Sequence, residues 1–200
     1  KLVNTAPARS DTTVGIMLAT GLDKAGSEQC QVLANQIEGF GLAGIVIGAP
    51  VRDLIVKLNI IEQCGSGIVS TDNANGGSLS IENNHIRGVD ARREGATGLV
   101  VGIAVTRAGH ATIAGNIIRS VGVTAVQSAL RVGILAFGVE RARVSGNEIT
   151  ELAPAGDFVG RAIGILLAAP MVDFEVGHNR VERDASPSTQ RSNGDWTALF

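Results

Sequence analysis

Residues 141–149 read RARVSGNEI, and the pattern of this stretch recurs along most of the chain. An aliphatic residue is followed, after two variable positions, by an asparagine, and after one more variable position by a second aliphatic residue. Six stretches share the pattern, and their asparagines lie 24, 25, 32, 31 and 32 residues apart. These asparagines are Asn35, Asn59, Asn84, Asn116, Asn147 and Asn179. Such a period predicts a solenoid, in which each repeat buries its apolar side by stacking on its neighbours.

The residues before each asparagine alternate between polar and apolar, as in DFEVGH at residues 173–178. A period of two indicates a β-strand with one face directed inward. When the repeats are aligned on the asparagine, two inward columns result. One contains Cys30, Leu54, Leu79, Ala111, Ala142 and Phe174, and the other contains Val32, Val56, Ile81, Ile113, Val144 and Val176. We therefore expect a core that is almost entirely aliphatic.

The repeated asparagine indicates a sharp turn, because inward aliphatic residues stand three positions before it and two positions after it. Asparagine suits this place since it tolerates left-handed backbone geometry better than most residues and its amide can bond to the backbone. Six amides at one position of successive coils are predicted to form a hydrogen-bonded ladder along the axis.

A Gly-Ile pair lies upstream of each asparagine and opens another predicted strand. Both faces of this strand are apolar or small, which is typical of a strand buried on both sides. The two columns contain Ile16, Ile45, Ile68, Ile103, Ile134 and Ile165, and Met17, Val46, Val69, Ala104, Leu135 and Leu166. We expect insertion loops, another subunit or an adjoining domain to cover this sheet, and a homo-oligomer is the favoured arrangement.

The later repeats are longer than the early ones, and the extra residues fall at roughly 87–98, 119–131, 150–161 and 182–195. These insertions are expected on one side of the rod, with a helical turn as an alternative for residues 121–130. Loops often carry function, so this side is one candidate for the working surface. The other interpretation is that a solenoid tolerates insertions wherever it is exposed.

Gly-Ile strands, the aliphatic-x-x-Asn-x-aliphatic turn and three short strands per coil resemble the right-handed parallel β-helix repeat of the pectate-lyase-like superfamily. The resemblance covers roughly residues 14–200 and implies an all-β, right-handed parallel β-helix solenoid of about six full coils plus part of a seventh. Residues 1–200 are expected to form one domain that is a segment of a longer protein. The sequence names no compartment, whereas the resemblance favours a secreted, cell-surface or virion setting.

Members of this superfamily include polysaccharide lyases, glycoside hydrolases, adhesins and structural segments, so the resemblance does not specify an activity. In the catalytic members the cleft commonly lies over the Gly-Ile sheet, but no charged residue interrupts the core of those strands here. Aromatic residues, which would stack on sugar rings, amount to only 3%. We therefore expect a non-catalytic structural or recognition module, with polysaccharide as the ligand class that the resemblance implies. The alternative is a polysaccharide lyase or glycoside hydrolase.

The charged residues that are the strongest candidates for a binding site lie on the outward face of the alternating strands. His110, Arg141 and Asp173 share one outward column, and Arg143 and Glu175 are neighbours in the next. One interpretation is a site for a small anion or for sugar hydroxyl groups, with arginine as a forked donor and the carboxylates as acceptors. The other is a surface ladder of cross-strand charge pairs.

Other classes of partner and cofactor are not expected. The net charge is −2 without a basic run, which argues against nucleic acid, and no apolar stretch is long enough to span a membrane. No metal or other cofactor is predicted, because the oxygen-rich residues 72–77 lack the spacing of a calcium loop and are better explained as a turn. Cys30 and Cys64 fall in different inward columns and are expected to be free, buried thiols.

Overall fold

The structure is a computed structural model that describes residues 1–3, 13–19, 27–48, 50–71, 77–90, 98–122, 130–152, 160–182 and 195–199. The regular secondary structure of these residues is entirely β-strand. The first ten strands are β1 (Leu2–Val3), β2 (Val14–Ala19), β3 (Ser27–Leu33), β4 (Gln36–Glu38), β5 (Ala43–Gly48), β6 (Val51–Lys57), β7 (Ile60–Glu62), β8 (Ile68–Ser70), β9 (Ser78–Glu82) and β10 (His85–Val89). The others are β11 (Leu99–Thr106), β12 (His110–Ala114), β13 (Ile117–Val121), β14 (Leu130–Phe137), β15 (Arg141–Ser145), β16 (Glu148–Leu152), β17 (Arg161–Ala168), β18 (Asp173–Gly177), β19 (Arg180–Val181) and β20 (Asp195–Leu199).

The strands form three parallel sheets, because every strand pairs with the strands three positions away along the chain. Sheet A has the order β1-β4-β7-β10-β13-β16-β19, sheet B the order β2-β5-β8-β11-β14-β17-β20, and sheet C the order β3-β6-β9-β12-β15-β18. The chain thus passes through sheets B, C and A in each coil. Strands β2 to β19 make six such coils, and β20 begins a further one, which confirms the predicted solenoid.

The two inward columns of sheet C fill an aliphatic bore together with the residues that follow the asparagines. Sequence-equivalent residues are direct partners across coils, as Ile81, Ile113 and Val144 are in consecutive strands. These three side chains are buried, and so are Ile86 and Ile118 of sheet A. Burial is lower in the two outermost strands of the sheet: Cys30 and Val176 are partly buried, and Phe174 is 61% exposed because β18 is the outermost described strand of sheet C.

The predicted asparagine ladder is present and runs through all six repeats. In each of its five steps, the backbone N–H and the side-chain N–H of one asparagine both donate to Oδ1 of the asparagine in the next coil, at 2.9–3.0 Å. From Asn59 onward, each side chain also donates to a carbonyl of the preceding coil, at 2.9 Å. One amide therefore links three coils.

The left-handed backbone at this turn belongs to the residue before the asparagine, and the sequence-based explanation was wrong on this point. The residues with positive φ are Ala34, Leu58, Asn83, Gly115, Gly146 and His178. None of the ladder asparagines has a positive φ. The asparagine is therefore selected for its amide, while the residue before it takes the sterically unfavourable conformation.

The glycine of each Gly-Ile pair is required by sterics, because sheets A and B approach closely at this point. A Cβ built on any of these glycines would lie less than 3.0 Å from a side-chain methyl group of sheet A in the same coil. The pairs are Gly15 with Ile37, Gly44 with Ile61, Gly67 with Ile86, Gly102 with Ile118, Gly133 with Ile149 and Gly164 with Val181. No side chain fits between the two sheets along this line.

The outer face of sheet B is only partly buried within the chain: in the predicted outer column Ala104 is buried, whereas Leu135 and Leu166 are partly buried. Val101, Ala104, Val132 and Ile163 form a second apolar cluster, separate from the bore, and all four are buried within the single chain. Met17, in the first coil, is 61% exposed. A homo-oligomer or an adjoining domain over this sheet stays a prediction.

The insertions are shorter than the sequence suggested, because the strands extend into them. β10, β13 and β16 continue to Val89, Val121 and Leu152, and β14 begins at Leu130. The helical turn considered for residues 121–130 falls largely on residues 123–129, which lie outside the described residues, and its two ends are in strands.

Candidate ligand-binding face

The five predicted ligand-binding residues lie on the outward face of sheet C, in three consecutive coils. His110 pairs with Arg141 and Arg141 with Asp173, while Arg143 pairs with Glu175. Neighbouring rungs of a sheet are about 4.8 Å apart, so these side chains form two short lines parallel to the rod axis. All five are exposed. The structure therefore places them in the predicted register on one accessible surface.

The electrostatics of this face are those of a solvated surface. Arg143 Nε lies 3.4 Å from a carboxylate oxygen of Glu175, and both side chains are more than half exposed. An exposed pair of this kind contributes little to stability, on the order of 0–1 kcal/mol. The guanidinium groups of Arg141 and Arg143 are therefore accessible to a ligand, which would compete with the weak Arg143–Glu175 pair.

A buried arginine, which the sequence reasoning missed, lies at the corner between sheets A and B. Arg131 occupies the position in β14 that Val100 and Ala162 occupy in the adjacent coils, and it is only 1% exposed. Its Nε donates to the carbonyl of Gly122 at 2.9 Å. Burial lowers the pKa of Arg131, and the nearby Asp90 carboxylate opposes this effect. The guanidinium thus joins the ends of two sheet A strands to sheet B.

Replacing Arg131 by methionine should lower the free energy of unfolding by about 2 kcal/mol, because methionine fills the space of the stem but leaves the Gly122 carbonyl and the buried Asp90 without the guanidinium. Adding Asp90→Asn to this variant should lower the free energy of unfolding by less than the same substitution does in the wild type. Urea denaturation of the two single variants and the double variant measures this coupling, which we expect to be about 1 kcal/mol. Strict additivity would contradict it, and the exposed Arg141→Met serves as control.

The remaining site predictions have different outcomes. The described residues contain no disulfide, and Cys64 is buried as expected, whereas Cys30 is only partly buried because it lies in the first strand of sheet C. The stretch 72–77, interpreted as a turn, falls mostly on residues 72–76, outside the described part of the chain.

Among the residues that the structure does describe, no group of three or more His, Cys, Asp or Glu side chains could hold a metal ion. Those residues also contain no helix with the length and apolar content needed to cross a membrane.

The fold defines the class of protein: the chain is a parallel β-solenoid with an internal asparagine ladder. Searches against protein-family models, curated proteins and solved structures find no match. Membership of the pectate-lyase-like superfamily therefore stays a prediction, as does the alternative of a polysaccharide lyase or glycoside hydrolase.

Proposed function

We propose that this chain is a non-catalytic structural and recognition rod that presents the outer face of sheet C to an extended polysaccharide. The observation that carries the proposal is the alignment of His110, Arg141 and Asp173 in one outward column, beside Arg143 and Glu175. Each rung offers a different hydrogen-bonding group at a fixed interval. A linear glycan, which repeats its hydroxyl and carboxylate groups at an interval of the same order, suits such a row.

The chemistry of the face supports a ligand with both carboxylate and hydroxyl groups. Arg141 and Arg143 are fork donors that match a carboxylate, and Asp173 and Glu175 accept hydrogen bonds from sugar hydroxyl groups. The ladder and the glycine line keep the rungs in register, so the ligand meets a surface that is already organised. Preorganisation lowers the entropy cost of binding to such a shallow face.

Titration calorimetry with an acidic and with a neutral polysaccharide tests this proposal. Wild-type protein should bind the acidic polymer, and the double substitution Arg141→Ala/Arg143→Ala should weaken binding by about tenfold or more, because two charged donors are lost. Arg87→Ala is the matched control, since Arg87 is an exposed arginine of sheet A that pairs with Glu62 at 2.8 Å. Binding that is absent in the wild type, or equally strong in the double variant, would refute the proposal.

A further inference from the structure

Three large aliphatic side chains are open to solvent at the corner where sheets C and A meet in the second coil. Ile55 is 37% exposed, Leu58 is 56% exposed and Ile60 is 41% exposed. β6 and β7 are paired on both sides, so these side chains are exposed sideways, away from the axis of the rod. Single apolar side chains are normal on a protein surface, whereas a contiguous group indicates a contact with another molecule.

The backbone conformation of Leu58 is a second, independent observation. Its φ is 58°, in the left-handed region that a leucine rarely adopts. Three other coils have asparagine or glycine at the equivalent position, namely Asn83, Gly115 and Gly146, and these residue types adopt the conformation more easily. Because its side chain is more than half exposed, Leu58 also adds little to the bore. A strained residue with no role in the core is a candidate for a role in binding.

The two columns of outward side chains that border this corner are complementary to each other. On sheet C the column contains Gln31, Ile55, Ser80, Thr112, Arg143 and Glu175. On sheet A the column contains Gln36, Ile60, His85, Ile117, Glu148 and Arg180. Within one coil, a glutamine is therefore matched by a glutamine in the first and an isoleucine by an isoleucine in the second. In the fifth and sixth coils, an arginine is matched by a glutamate.

A two-fold axis parallel to the rod would use this complementarity. Such an axis sets each coil opposite the same coil of a second copy, with the sheet C column of one copy against the sheet A column of the other. Leu58 then faces Leu58 of the second copy, and Gly115 and Gly146 leave room for close approach in the later coils. Columns farther from the corner turn away from the contact, because the chain bends sharply at the asparagine and the corner is convex.

The charged residues of the two columns are able to pair across such a contact. Arg143 and Glu175 are more than half exposed within their own weak pair, and the side chain of Arg180 is 65% exposed. Glu148 accepts a hydrogen bond from Arg119 through Oε1 at 2.7 Å, and a carboxylate can accept from more than one donor. Arg143 and Glu175 of one copy would thus lie against Glu148 and Arg180 of the other, with charges of alternating sign.

We propose that this corner, defined by the two columns and the turn residues between them, binds a second copy of the chain in a parallel two-fold dimer. The contact is about 24 Å long, because the six coils are spaced at about 4.8 Å, and it is only two columns wide. An interface of this size is at the low end for specific complexes, so the dimer is reversible, with a Kd on the order of 10–100 µM. Arg143 and Glu175 also belong to the candidate ligand-binding face, but dimer formation does not depend on glycan binding.

Sedimentation equilibrium of the full chain without polysaccharide tests this proposal. Wild type should change from monomer to dimer between about 5 and 500 µM. Leu58→Asn/Ile60→Gln should weaken the dimer by about tenfold or more, because both copies lose the apolar centre of the contact. The two new residue types occur at these positions in neighbouring coils, and asparagine tolerates the left-handed backbone, so this variant should melt at or above the wild-type temperature. Met17→Gln, on the outer face of sheet B, is the matched control because Met17 is 61% exposed.

Charge reversal distinguishes this dimer from other arrangements. Arg143→Glu and Glu148→Arg should each weaken self-association by about tenfold, because each substitution places like charges at two symmetry-related contacts. An equimolar mixture of the two variants should associate about as tightly as wild type, since both contacts of a mixed dimer then join opposite charges. Recovery in the mixture also shows that both variants are folded.

A wild-type chain that is still monomeric at about 500 µM would overturn the proposal. So would an unchanged dimer in Leu58→Asn/Ile60→Gln, or a mixture of the charge variants that associates no more tightly than either variant alone. Loss of the dimer in Met17→Gln would place the second copy on sheet B instead, and the corner would then not be the interface.

Discussion

Gly133→Ala is expected to lower the free energy of unfolding by about 3 kcal/mol, the upper part of the range for overpacking a filled core. The added Cβ would lie 2.7 Å from Cγ2 of Ile149 and 2.6 Å from the carbonyl oxygen of Gly164 in the next coil. A flexible side chain could turn away, but the carbonyl oxygen is fixed by the parallel pairing of β14 with β17. Relief therefore requires the two coils to separate, which weakens the stacking on both sides of the substitution.

Gly98→Ala is the matched control, because a Cβ on Gly98 would have no heavy atom of the described residues within 4 Å. The two variants make the same chemical change in adjacent coils, and only Gly133 lies on the line where sheets A and B approach closely. Urea denaturation followed by circular dichroism should show a lower midpoint for Gly133→Ala and an almost unchanged one for Gly98→Ala. Equal midpoints would mean that the coils are not stacked as closely as the glycine line requires.

The sequence predicted those features that each coil repeats with the same residue type. Asn116 and Asn147 lie where the pattern placed them, and the pairing of Ile113 with Val144 follows from the same alignment. The left-handed residues could not be found in this way. Leu58 is of a residue type that rarely has a positive φ, yet it adopts one directly before the ladder asparagine Asn59. Its residue type therefore gives no local signal for this conformation.

The candidate face could be predicted from the sequence, whereas the buried arginine could not, and the reason is again whether the coils repeat the same residue type. The register of Arg141 with Asp173 could be predicted, because both residues stand at a constant distance before an asparagine. Arg131 lies between an insertion of variable length and the Gly-Ile pair, and its neighbours in register, Val100 and Ala162, are apolar. No repeated residue type marks that position. The burial of Arg131 therefore follows only from the structure, in which Gly122 and Asp90 lie near its guanidinium. The sequence signal that could have raised the question is a charged residue two positions before the glycine of a Gly-Ile pair, as Arg131 is before Gly133.

Asn116→Ala is expected to have the largest effect, a loss of about 4 kcal/mol in the free energy of unfolding, because several buried polar groups lose their partners together. Asn116 is fully buried. Its Oδ1 accepts two hydrogen bonds from Asn84, and its Nδ2 donates to the carbonyl of Ile81 and to Oδ1 of Asn147. Alanine removes all four bonds and leaves the N–H of Asn84 and the carbonyl of Ile81 in a dry aliphatic environment.

Asn35→Ala provides the graded control for the ladder. Asn35 is only partly buried, and its side chain donates just two of the described bonds, to Leu33 and to Asn59. Water can replace these partners at the end of the ladder, so we expect a loss of about 1 kcal/mol. If melting experiments showed equal losses for the two alanine variants, the amides would act as independent turn residues and not as a continuous ladder.

Asn116→Asp removes the two N–H donations of the Asn116 side chain while keeping a side chain of nearly the same size and shape. The carboxyl group has nearly the size of the amide but would face the carbonyl of Ile81 and the Oδ1 of Asn147, both of which are acceptors. Burial beside these oxygens raises the pKa of the new carboxyl above its value in the unfolded chain, so the variant should be more stable at pH 4 than at pH 7 relative to wild type. The penalty appears as the pH rises and the buried group is forced to ionise. A pH-independent difference would show that water reaches the ladder, which is incompatible with a dry bore in which one amide holds three coils together.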